Sequence, residues 1–170
     1  LLLLGASRRA YEGRKYAEAQ SWNWSTNFLM GKQMSNKKLG ILGMGRIGRA
    51  VAQRARGFGM EIHYHNRNKL SADLELGSTY HADIKSLFSQ SEFLSINCPA
   101  TAETTNLLNE ETIKILPDKA VVANAARGDI IDDKAMIKAM KSGKIFALGL
   151  DVYNGEPKIN EEYLKLENLF

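Results

Sequence analysis

One cysteine and three prolines among 170 residues leave this chain with few covalent or conformational staples. The lone Cys98 excludes an intrachain disulfide and fits a reducing cytoplasm, the location expected here. Long apolar runs are also missing. The opening Leu1-Leu2-Leu3-Leu4 is too short for a signal-peptide core and is followed, not preceded, by Arg8 and Arg9. No stretch approaches membrane-spanning length, so no membrane partner is expected. Blocks of one charge are absent as well. The 23 Lys and Arg against 19 Asp and Glu give a net charge of +4, but the cations are scattered and lack interleaved aromatics. That pattern argues against a nucleic-acid partner and suits a small polyanionic ligand equally well. The chain starts without Met, inside a helical pattern, so a piece of a longer protein is expected.

Against these absences stands an ordinary globular composition, 44% hydrophobic and 25% charged. Residues 2–20 read as a helix rich in charge. An aromatic segment with Trp22, Trp24 and Phe28 follows, and tryptophans in a loop-like stretch need a surface. Packing on this chain and packing on a second copy are equally compatible with it. From Leu39 onward, short apolar strands (39–42, 61–65, 93–97, 120–124, 145–150) alternate with helical patterns (46–58, 83–90, 109–116, 132–142). Strands without period-two polarity that alternate with helices predict an α/β fold, a doubly wound parallel sheet of the Rossmann type with a leading helix. Residues 1–36 then form a linker helix and aromatic arm, and 37–157 a dinucleotide-binding domain.

In such a sheet, ligands sit beyond the carboxyl ends of the strands. The first exit is Gly43-Met44-Gly45-Arg46-Ile47-Gly48, directly after the strand and opening a helix. There the glycines allow a tight turn, close approach of a pyrophosphate and close helix packing, and the helix N-terminus offers unpaired N–H groups. Ile47, Val51, Ala55 and Phe58 fall on one side of that helix and are its expected apolar face. The second exit, His65-Asn66-Arg67-Asn68-Lys69, lacks the acid that binds a ribose 2′-hydroxyl in NAD sites; Glu61 lies at the wrong end of the strand. Arg67 can pair with a 2′-phosphate through two N–H groups. NADP(H) is therefore expected, with NAD(H) as the alternative. Further exits carry Asn97-Cys98-Pro99, Asn124-Ala125-Ala126-Arg127-Gly128 and Gly149-Leu150-Asp151 to Glu156-Pro157. Arg127 leaves a buried strand into the expected crevice, where a guanidinium can hold a carboxylate. Taken alone, Arg127, Asp151 and Glu156 read first as a structural ion network.

In order and spacing these four motifs resemble the D-isomer-specific 2-hydroxyacid dehydrogenases over essentially the whole chain. The Asn-Arg exit most resembles the NADP-dependent glyoxylate/hydroxypyruvate reductase branch. The resemblance implies an enzyme that transfers hydride between NADPH and a small 2-keto acid to give a D-2-hydroxy acid. Arg127 then binds the substrate carboxylate and polarises the keto group, and Glu156 hydrogen-bonds a catalytic histidine. Asp151 contacts the nicotinamide carboxamide, and Met44 to Ile47 cradle the pyrophosphate. Asn66 to Asn68 face the 2′-phosphate, His65 flanks the adenosine ribose, and Cys98, Pro99, Ala125 and Ala126 line the cofactor. The resemblance also implies a homodimer. The family's Pro-His motif is not found here, and His63, His65 and His81 read as structural. Residues 158–170 are then the start of a return segment to a separate substrate domain. Cofactor binding with little turnover is expected of this stretch alone. The rival reading is a non-catalytic, dimerising, corepressor-like module that senses a dinucleotide.

Overall fold

The computed structural model describes residues 1–22 and 24–170; Asn23, within the expected aromatic arm, lies outside the described residues. Among the described residues, six strands form one sheet: β1 (Lys38–Leu42), β2 (Glu61–His65), β3 (Thr79–Tyr80), β4 (Phe93–Ile96), β5 (Ala120–Asn124) and β6 (Ile145–Leu150). Their spatial order is β3-β2-β1-β4-β5-β6, and every pairing is parallel. The chain winds outward from β1 through β2 and β3, then returns to the other side of β1 for β4, β5 and β6. The crevice between the β1 and β4 exits is the switch point of a doubly wound sheet, where ligands bind.

Among the described residues, seven α-helices accompany the strands: α1 (Leu2–Ser7), α2 (Ala10–Ala19), α3 (Arg46–Arg56), α4 (Ala72–Glu75), α5 (Ile84–Gln90), α6 (Glu110–Ile115) and α7 (Asp133–Lys141). Successive strand residues feed opposite cores, as the pleat requires. Ile41, Val121 and Ala147 join Ala6, Ala52 and Ala55 on the face covered by α1 and α3. Leu42, Val122 and Leu148 join Phe88, Ile113 and Met136 on the face covered by α5, α6 and α7. Both faces being covered, β5 is buried at all five positions, which explains its unbroken apolar run.

Two expectations are corrected. The helix expected over 2–20 is two helices, because Arg9 takes a left-handed conformation (φ +53°) between α1 and α2. Its guanidinium is held by two bonds to the Glu12 carboxylate, 2.6 and 2.9 Å. The break lets α1 bury Gly5, Ala6 and Ser7 while α2 stays largely exposed. The apolar face of α3 is half the expected one: Ala55 is buried and Val51 packs against the core, but Ile47 and Phe58 do not join them. Its buried residues are Gly48, Ala52 and Ala55, whereas Ile47 and Phe58 are 64% and 47% exposed. Small residues win this face because α3 lies close to the sheet: a Cβ on Gly48 would sit 2.3 Å from the Gly43 carbonyl oxygen.

Residues 158–170 lie against the same domain. Tyr163 and Leu166 join the core, and the Phe170 N–H donates to the Leu148 carbonyl while the Leu150 N–H donates to the Phe170 carbonyl.

Candidate active site

The glycine turn leaves β1 at the switch point, and its glycines have different physical causes. Gly43 has φ +93°, and a Cβ there would lie 2.7 Å from the Cys98 backbone nitrogen. Strain and contact both require glycine at that position. Gly45 is different: a Cβ on it would meet no protein atom within 4 Å. Its missing side chain leaves open space just before α3, whose first amides, those of Arg46, Ile47 and Gly48, have no intrahelical acceptor. Open backbone beside free amides fits a pyrophosphate.

Met44 stands on the wall of this turn. Its side chain is buried in the core, and its N–H donates to the Asn66 Oδ1 at 2.6 Å. Asn66 thereby ties the β2 exit to the glycine turn. Between these exits lies a cleft of about 500 Å³, whose walls include Gly43, Met44, Gly45, His65, Asn66, Arg67, Asn68, Cys98 and Pro99. Arg67 and Asn68 are exposed. The His65 Nδ1–H donates to the His81 carbonyl at 2.8 Å, which leaves Nε2 unprotonated in the neutral ring. Burial pushes the Cys98 thiol up to about 11, so it lines the cleft as a neutral group rather than a nucleophile.

The second cluster stands at the neighbouring β5 and β6 exits. Asn124 ends β5 fully buried and holds the following turn from both sides of its amide. Its Nδ2 donates to the Arg127 carbonyl (2.8 Å), and its Oδ1 accepts from the Ala126 N–H (3.0 Å). The Asn124 carbonyl also accepts from the Asp151 N–H (3.0 Å), joining the two exits. A Cβ on Gly128 would lie 2.0 Å from the Tyr153 carbonyl carbon, so the Arg127-Gly128 turn abuts the 151–156 turn. Arg127 and Glu156 therefore stand on abutting turns. The Arg127 Nη1 donates to the Ala126 carbonyl (2.7 Å), and the Glu156 Oε1 accepts from the Tyr153 N–H (2.6 Å). Arg127, Glu156, Asp151 and Ala125 are all exposed, and Ala126 is half-buried. Asn124 is the positioning residue that sequence reasoning undervalued; its signal is a polar residue ending a wholly apolar strand.

A parallel sheet wound both ways from β1, with a glycine turn and open helix amides at the switch point, defines a Rossmann-type dinucleotide-binding domain. The model of the D-isomer specific 2-hydroxyacid dehydrogenase NAD binding domain matches residues 1–170, and the chain belongs to that family. It is 45% identical over 173 residues to a glycerate dehydrogenase of Hyphomicrobium methylovorum, covering all of this chain and 54% of that protein. A glyoxylate reductase of Pyrococcus furiosus is 39% identical over 174 residues, covering 99% of this chain and 52% of that one. The crystal structure of a glyoxylate reductase from Paecilomyes thermophila superposes with a TM-score of 0.91 at 42% identity, covering 99% of this chain and 51% of that one. The chain thus spans about half the length of the curated relatives it matches. None of these relatives is a corepressor. A nicotinamide dinucleotide is the cofactor type of this domain. Among the described residues, no helix is long and apolar enough to cross a membrane.

Proposed function

We propose that this chain binds NADP(H) and serves a reductase that converts a small 2-keto acid, of the glyoxylate or hydroxypyruvate type, to its D-2-hydroxy acid. One observation carries the reading: Arg127 and Glu156 stand on abutting turns at the β5 and β6 exits, the same end of the parallel sheet as the glycine turn and its cleft. When bound, the reduced nicotinamide supplies a hydride for the keto carbon. Arg127 then grips the substrate carboxylate with two parallel N–H bonds and draws charge from the keto oxygen. Glu156 orients and charges a histidine that donates the proton. That histidine is not one of the three in this chain, since His63 and His65 belong to β2 and His81 follows β3. We assign it to a segment outside residues 1–170, and this stretch alone should bind cofactor with little turnover. The aromatic arm, with Trp24 82% exposed and stacked edge-on against Trp22 and Phe28, supports a homodimer seated on that arm.

The preference for NADP(H) rests on the β2 exit, where Arg67 stands exposed on the cleft wall with no acid beside it between Glu61 and Asp73. Titration of NADPH and NADH against Arg67→Asp tests it. NADPH affinity should fall by about tenfold or more, with NADH little changed, because a carboxylate repels a 2′-phosphate and accepts from a 2′-hydroxyl. Equal losses for both cofactors would refute the assignment.

A further inference from the structure

The loop between β2 and α4 carries Arg67, Asn68 and Lys69 as an exposed tip, yet both of its ends are tied down. At the near end, Asn66 is held twice. Its side-chain Oδ1 accepts from the Met44 N–H (2.6 Å), and its backbone carbonyl accepts from the Tyr80 hydroxyl (3.3 Å). At the far end, the Leu70 N–H donates to the Tyr64 hydroxyl (3.0 Å), which itself donates to the Glu75 Oε1 (2.5 Å). Glu75 also lies 3.9 Å from the Lys69 Nζ. The Tyr64 and Tyr80 rings, 5.3 Å apart, pack against each other beneath the loop, with Tyr64 fully buried.

We propose that Tyr64 and Tyr80 are positioning residues that hold both ends of loop 66–70 and so preform the seat for the cofactor's 2′ substituent. The proposal rests on the NADP(H) reading above and assigns the mechanism of that selectivity. Phenylalanine would fill the same apolar space beside Ile62 and Leu70, so packing alone does not call for a hydroxyl. A buried phenol needs partners. Tyr64 finds its own in the last amide of this loop and in the acid beside Lys69, and Tyr80 finds its own in the loop's first carbonyl. With both ends fixed, only the three-residue tip remains to be ordered when an anion binds. An Arg held this way loses less conformational freedom on binding than one on a free loop. Neither hydroxyl bonds directly to the β1 or β4 exit: Tyr64 bonds Leu70 and Glu75, and Tyr80 bonds Asn66.

The test is calorimetric titration of the protein with 2′,5′-ADP and 5′-AMP, which differ only in the 2′-phosphate. Tyr64→Phe should lower the affinity ratio of 2′,5′-ADP to 5′-AMP by about three- to tenfold, the worth of one hydrogen bond. Tyr80→Phe, which loses a longer bond, should lower it by about two- to threefold. Affinity for 5′-AMP should hold in both, and amide exchange at Leu70 should accelerate in Tyr64→Phe. An unchanged ratio in the folded variants, or equal weakening of both probes, overturns the proposal. If Tyr64→Phe does not fold, Tyr80→Phe decides alone. Arg67→Ala run beside them separates the two readings. A selective loss there with none in the tyrosine variants removes only the clamp, whereas no selective loss in Arg67→Ala removes the 2′-phosphate reading and the clamp with it.

Discussion

On the β1–β2–β3 side of the sheet, polar side chains are bound to other parts of the protein. Asn66 holds Met44, Tyr64 holds Leu70 and Glu75, Tyr80 holds Asn66, and His65 holds His81. On the β5–β6 side, the two charged groups of the proposed chemistry are exposed. Each makes its hydrogen bond to a backbone group of its own turn, Arg127 to Ala126 and Glu156 to Tyr153. The buried Asn124 beneath them fixes the backbone and leaves the guanidinium and carboxylate outward. One half is built before its ligand arrives. The other presents groups that become useful only when something covers them, as electrostatic catalysis in a water-excluded site requires.

The largest expected effect breaks the open half alone. Arg127→Ala should lower kcat/KM for a 2-keto acid by about 10²- to 10³-fold in the intact reductase. Since Arg127 is exposed and, among the described residues, its guanidinium bonds only its neighbour's carbonyl, NADPH affinity and melting temperature should stay put. Arg127→Lys should recover little, because a point charge cannot reproduce the two-pronged grip on a carboxylate. A marked loss of cofactor affinity in Arg127→Ala would show that the two halves are not separable.

Next in size is a contrast within the glycine turn. Gly43→Ala forces a side chain to φ +93° and against the Cys98 backbone, so it should destabilise the fold by about 1–3 kcal/mol in a denaturant melt. Gly45→Val places its Cβ, at φ −78°, where no protein atom lies within 4 Å. Its stability should be near that of the parent while dinucleotide affinity falls by about tenfold or more, because the branched side chain occupies the phosphate's approach. If both variants lose stability alike, the cradle assigned to Gly45 is wrong.

The same contrast marks what could be read from the sequence. Strands such as Ala120–Asn124 were legible because burial on both faces leaves an apolar run with no alternation. Placing the strands also places their exits, and Arg67, Arg127 and Glu156 are candidates because those exits carry them. The two-residue β3 was not legible, since Thr79–Tyr80 is too short to show any period. The break at Arg9 carries no Gly or Pro, and it is held by an ion pair to Glu12 rather than by local preference. Ile47 and Phe58 stay off the buried side of α3 because close packing selects small residues there. The ties Met44–Asn66, Tyr64–Leu70 and Tyr80–Asn66 join residues that are neighbours only once the sheet has formed.

The smallest expected effect lies at the outer edge of the closed half, where one more chain of polar contacts runs behind the cleft. Buried His63 faces Glu61 through Nε2 (2.8 Å) and the His81 Nε2 through Nδ1 (2.9 Å), while the His81 Nδ1 meets the Ser86 hydroxyl (2.8 Å). The 2.9 Å gap between the rings has room for one hydrogen. Burial first, and then His63, His65 and Lys38, hold His81 below its ordinary range. The sign follows from linkage. Below the unfolded value of about 6.5, the unfolded chain takes up a proton that folded His81 resists, so stability should fall as pH drops from 7 toward 5 and be level above 7. The ring is partly exposed, so after screening the contribution should be under about 1 kcal/mol. Urea melts across that range should slope less in His81→Gln than in the parent. Because the His81 carbonyl also fixes His65 on the cleft wall, 5′-AMP affinity should follow the same pH course in the parent. An affinity that stays level while stability falls would confine the histidine pair to the fold and free the cleft from it.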